Sequence, residues 1–107
     1  MSNRWGIPKE VEAFVRQRDL TCVYCRVEFS EGISDRKSKP SWEHIVNDIR
    51  INGTDNIALC CMSCNASKGA KILEMWLESD YCKRKEITVH TIATVVKNAI
   101  VNPPKFE

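Results

Sequence analysis

No run of the 107 residues is long and apolar enough to cross a bilayer, and the N-terminus carries no apolar secretory segment. The sequence therefore reads as a cytoplasmic chain with no membrane partner, in a compartment where thiols stay reduced and disulfides are rare. Repeats and low-complexity tracts are also missing, which excludes solenoid and array architectures and leaves a single domain over residues 1–107. A strong charge of one sign is absent too: 16 Lys and Arg stand against 14 Asp and Glu, a net charge of +2. That sum is only a weak hint of a polyanionic partner, because clustering on one face is what nucleic acid requires.

Cysteine is what the chain has in quantity, six in all. Cys22 and Cys25 form one C-x-x-C pair and Cys61 and Cys64 a second. Two residues between thiols, repeated once a few dozen residues later, is the spacing of a tetrahedral zinc site, and thiolates suit zinc better than magnesium or calcium. In a domain this short the metal's binding free energy becomes folding free energy, on the order of 10 kcal/mol. Cys60 and Cys82 are left over and read as small buried hydrophobes, although Cys60 could replace Cys61 with a looser loop.

The periodicities describe an α+β fold. Pro8 opens a helix that carries Val11, Phe14 and Val15 on one face and ends at Asp19. Ser30 to Lys39 is polar, with Gly32 and Pro40 as breakers, and reads as a loop whose Arg36, Lys37 and Lys39 could touch phosphate. Ser41 to Val46 and Ile57 to Cys60 read as short strands, with Asn52-Gly53 marking a turn between them. The period then changes to 3.6, predicting a helix from about Asn65 to Glu78 with Ala66, Ala70, Leu73, Trp76 and Leu77 on one face. A helical extension at about 86–101 follows, with Thr88 as candidate N-cap, Val89, Ile92, Val96, Ala99 and Ile100 on a stripe, and Pro103-Pro104 closing it. Trp42 and Trp76 sit at apolar positions and read as core.

Between the cysteine pairs lie Glu43-His44 and Asn56, and the second pair runs straight into Asn65. A carboxylate and an amide oxygen are hard donors, suited to Mg2+ or Mn2+, and an imidazole is a suitable general base near neutral pH. Each residue alone has a plainer use: a lone His is more often surface or core, and an Asn at a helix start is more often a cap. His90, far from the others in sequence, receives no role.

Together the runs Trp42-Glu43-His44-Ile45-Val46, Asp55-Asn56-Ile57-Ala58-Leu59 and Cys61-Met62-Ser63-Cys64-Asn65-Ala66-Ser67-Lys68-Gly69 resemble the HNH endonuclease motif, over about residues 16–77. The resemblance implies a ββα-metal core with a four-cysteine zinc knuckle, flanked by N-terminal and C-terminal helices. It implies that His44 activates the attacking water, that Glu43 and Asn65 hold one catalytic Mg2+ or Mn2+, and that Asn56 braces the His-bearing loop. Cys22, Cys25, Cys61 and Cys64 would hold structural zinc. The implied activity is hydrolysis of DNA phosphodiesters, leaving 5′-phosphate and 3′-hydroxyl ends, with one active centre per chain and hence nicking. Many relatives carry Asp at the place of Glu43 and His at the place of Asn65; Asn65 tilts the site toward hard ions. Lys68, on the first turn of the expected helix, is a candidate phosphate ligand aided by the helix N-terminus, against the plainer reading of an exposed helical lysine. The resemblance also brings DNA and phage-packaging or restriction proteins as candidate partners; the 89–100 stripe is a candidate contact for a second copy, although packing against its own domain is the plainer use of that face. A zinc-ribbon-like module that binds DNA or protein without cutting would explain the cysteines equally well. A deaminase-like catalytic zinc would need an open position, which four cysteines close.

Overall fold

Pro8 has no N–H to lose, and it caps the first helix, α1 (Lys9–Arg18), one position ahead of where the sequence placed it. Glu10 and Glu12 in the first turn and Arg16 and Arg18 in the last complement the helix dipole. Val15 is fully buried, whereas Phe14, expected on the same face, is 52% exposed beneath the Arg18 guanidinium. So α1 presents only a narrow edge to the core. The computed structural model describes residues 5–30 and 35–106; Gly32, expected to break the 30–39 loop, lies outside the described residues.

Asp19 ends α1 and ties it to the sheet, accepting a 3.0 Å bond from the Leu59 amide while Arg18 chelates its carboxylate. The chain then makes a miniature hairpin around the first cysteine pair, closed by a bridge between Thr21 and Glu28, with Arg26 at φ +67° turning it back. After the 35–39 turn, β1 (Pro40–His44) pairs antiparallel with β2 (Ile57–Cys61), Trp42 opposite Leu59 and His44 opposite Ile57. Every residue of β2 is buried, because both faces of this two-stranded sheet are covered. The loop at 45–56 connects the strands, and β2 passes without a linker into α2 (Met62–Lys68).

The single helix expected from Asn65 to Glu78 is two. Gly69 closes α2 at φ +50° and ψ −129°, a backbone that only glycine adopts easily, and the chain restarts as α3 (Leu73–Leu77). Ala66 and Ala70 are exposed as a result, while Leu73 and Trp76 are buried. An unexpected short helix, α4 (Asp80–Arg84), follows, capped by the Ser79 hydroxyl. Thr88 folds a turn rather than capping a helix, its hydroxyl accepting from the His90 amide, and the last helix, α5, begins later, at Thr94–Val101. Ile92, Val96 and Ala99 of the expected stripe are buried, and Val89 is exposed. The described residues thus form a small α+β fold with one two-stranded antiparallel sheet and five helices. The main core gathers around the cysteines, Tyr24 and Trp76; a smaller cluster of Ile7, Val15, Trp42, Ile57 and Leu59 packs beneath α1. Cys60 and Cys82 are both fully buried within the main core, as small apolar groups whose thiols burial pushes up. No helix is long and apolar enough to cross a membrane among the described residues.

Candidate functional site

The hairpin at 21–28 and the β2–α2 junction bring Cys22, Cys25, Cys61 and Cys64 together, with all four sulfurs within 4.8 Å of one another. Four sulfurs around one zinc at about 2.3 Å would stand about 3.8 Å apart, and Cys25 Sγ lies 3.8 Å from Cys61 Sγ. Backbone amides turn inward on the sulfurs: Tyr24 and Cys25 donate to Cys22 Sγ and Cys64 donates to Cys61 Sγ, each at 3.4 Å. Such N–H···S bonds favour thiolate over thiol, and the last one also caps α2. The group can hold one metal ion, and its chemistry is compatible with structural zinc. Cys61, not Cys60, supplies the third sulfur, because alternation along β2 turns Cys60 to Ser41 on the other side. Without a cation the cluster divides its protons unevenly. Hydrogen bonds led by the one with Cys22 hold Cys25 well below the usual thiol range, and those with Cys22 and Cys25 push Cys61 and Cys64 far above it. Tyr81, which the sequence did not single out, donates its hydroxyl to Cys64 Sγ at 3.3 Å.

Beside this cluster lies a cleft of about 620 Å³ whose lining includes Glu43, His44 and Asn65 together with Trp5, Lys39 and Ile49. Asn65 donates its amide N–H groups to Ser41 Oγ at 2.9 Å and Trp42 O at 3.1 Å, which leaves its carboxamide oxygen as the atom available to a ligand. His44 lies edge-on to Trp5, and its Nε2 is 2.8 Å from Asn52 Oδ1. Asn56, fully buried, does not line the cleft; it accepts from the Val46 amide and donates to the carbonyls of Val46 and Ile51, closing the 45–56 loop that follows His44. A carboxylate and an amide oxygen in the lining of one cleft are the donor types that suit a hard divalent ion.

Glu43 is 5% exposed, and burial raises its carboxyl above the usual range against the opposing pull of Lys68 and the Tyr24 hydroxyl. Lys68 does not stand on the helix surface: it is 1% exposed, with Nζ 3.0 Å from Glu43 Oε2. Nor is the α2 N-terminus open to an anion, since Met62 and Ser63 donate their amides to Lys39 O and Arg36 O, and Cys64 to Cys61 Sγ. These corrections share one cause, the packing of the 35–39 turn and of the Glu43 carboxylate against α2. Arg36 and Lys37 are exposed on that turn, with Lys39 exposed at the cleft. Trp42 and Trp76 are core as expected, and His90 is exposed on the 88–91 turn. Tyr24 and Tyr81 were given no role, and Asn52 only that of a turn residue, because a hydroxyl or amide carries no spacing signal until the fold supplies its partner. A second cleft, about 570 Å³ between α1 and α5, has only Arg18 and Asp55 as charged lining, and Arg18 is taken by Asp19 and by the carbonyls of Thr54 and Ile57. No protein-family model, curated protein or solved structure matches the chain.

Proposed function

We propose that this chain is a DNA endonuclease of the HNH type, with a structural zinc at Cys22, Cys25, Cys61 and Cys64 and a single Mg2+ or Mn2+ at Glu43 and Asn65. The observation that carries the reading is the convergence of Glu43, His44 and Asn65 on one cleft beside the four sulfurs. Asn56 supports it from behind, by holding the loop that follows His44.

In this reading Asn52 Oδ1 keeps a proton on His44 Nε2, so Nδ1 is the base. Nδ1 takes a proton from water, the water oxygen bonds to phosphorus, and the P–O3′ bond breaks. The 3′ oxygen collects a proton from solvent, leaving 5′-phosphate and 3′-hydroxyl ends. Glu43 and Asn65 would hold the divalent ion, which when bound supplies Lewis-acid stabilisation of the charge on the phosphate and the departing oxygen. Lys39 at the cleft and the exposed Arg36 and Lys37 of the 35–39 turn supply phosphate contacts along the duplex.

The test is supercoiled plasmid incubated with Mg2+, with and without chelator. One His44 per chain attacks one strand per binding event, so open circle should precede linear product at low protein concentration. The His44→Ala variant should keep its fold and its DNA affinity and lose nearly all cleavage. Plasmid that is bound and never cut, by wild type and variant alike, would instead indicate a zinc-ribbon-like binding module.

A further inference from the structure

The Glu43 side chain is held from behind by two groups on the same oxygen. Tyr24 Oη donates to Oε2 at 2.5 Å, and Lys68 Nζ lies 3.0 Å from that atom. Lys68 also reaches the His44 carbonyl, at 3.4 Å, so one ammonium ties both members of the Glu43-His44 pair. Neither Tyr24 nor Lys68 lines the cleft, and both are almost entirely buried, whereas Glu43 and His44 line it. The two bonds therefore approach from the protein interior, and Oε1 is the carboxylate atom left for the cleft side. Tyr24 lies between the cysteines of the first pair, edge-on to Trp76 at 4.9 Å, and Lys68 lies four residues past Cys64 on α2. Both are thus carried by segments that the sulfur cluster draws together.

Resting on the endonuclease reading, we propose that Lys68 and Tyr24 are positioning residues: they hold Glu43 by Oε2 so that it takes a divalent cation through Oε1 alone, and Lys68 is not a ligand for DNA phosphate. Without these two bonds to Oε2 the carboxylate would be free to rotate away from the orientation the cleft presents. Partners that orient a metal ligand are worth about 10- to 100-fold in metal affinity.

Mn2+ titrated into the zinc-loaded protein, followed by electron paramagnetic resonance, reads this without any turnover. Tyr24→Phe, which keeps the ring against Trp76, and Lys68→Met should each weaken Mn2+ binding about 10- to 100-fold while zinc content is retained, and Lys68→Arg should recover part of the loss. DNA affinity measured without added divalent cation, and its salt slope, should be the same for Lys68→Met as for wild type. Unchanged Mn2+ affinity in both variants overturns the proposal, as does a shallower salt slope for Lys68→Met, which would place its ammonium on phosphate. If Lys68→Met does not fold, Tyr24→Phe decides alone. Wild type that binds no Mn2+, or Glu43→Ala that binds it as well as wild type, would overturn the endonuclease reading and this proposal with it, an outcome distinct from loss of the positioning role alone.

Discussion

Asn56 uses its whole carboxamide on the loop at 45–56: the oxygen on the Val46 amide at 2.7 Å, the nitrogen on Val46 O and Ile51 O at 3.1 Å each. Asn56 itself is fully buried and its bond to Ile51 O is out of water, so truncation would leave a buried carbonyl unpaired as well as remove the part-buried bonds to Val46. Asn56→Ala should destabilise the domain by about 2–4 kcal/mol, a loss measurable as a lower urea midpoint at an unchanged slope. An unaltered midpoint would mean that the loop holds itself. The resemblance made Asn56 a brace, but the partners come from the fold. Asn52, eight residues past His44, is the reverse case: the sequence marked it only as part of a turn, and its side chain meets the imidazole because the loop folds back.

The helix that sequence periodicity ran from Asn65 to Glu78 shows what a pattern of apolar spacing leaves out. The spacing persists across Gly69, but the backbone there takes φ +50°, which ends α2 before α3 begins. A Cβ at Gly69 would meet nothing closer than Ala66 O at 3.9 Å, so space is not the obstacle and the dihedral is. Gly69→Ala should therefore cost about 1–3 kcal/mol, read as a lower thermal midpoint with zinc content intact. Stabilisation instead would show that the segment prefers to continue as one helix. The β strands were easier to place, within one residue at the start of β1 and at the end of β2 and two at the end of β1, because Pro40 marks the start of β1 and β2 is a short apolar run that ends at a helix start.

At the scale of the whole molecule the sulfur cluster joins segments that otherwise share little. Val23 in the first cysteine turn donates to Leu59 O in β2 and accepts from Ala93 at the start of α5, so the four cysteines sit where the N-terminal hairpin, the sheet and the C-terminal helix meet. Chelation should consequently unfold the entire domain rather than one end, visible as loss of helical circular dichroism in a single transition. Zinc uptake by the metal-free protein at pH 7 should also release protons, because Cys61 and Cys64 are pushed up and still protonated there. For Cys22 the bond with Cys25 raises and those with Cys61 and Cys64 lower the thiol, to about 7. Bound zinc needs all four thiolates, so affinity should fall as pH drops through and below that value. Titration in a weakly buffered indicator solution checks it, and zinc uptake with no proton release would contradict the assignment.

Spacing along the chain alone was enough to pick out the four cysteines that come together, the two strands and the burial of Trp42 and Trp76. These are short-range or alternating patterns that a backbone of known pitch must place together. The folded chain decided what no spacing encodes: that Lys68 turns inward to Glu43, that Tyr24 reaches a carboxylate and Tyr81 the Cys64 sulfur, that Arg36 and Lys39 close the α2 N-terminus, and that Phe14 stays in water. The physical reason is desolvation. Whether a charge or hydroxyl is buried depends on the partner that meets it through space, and Lys68 finds its carboxylate 25 residues back along the chain, across the β2–α2 junction.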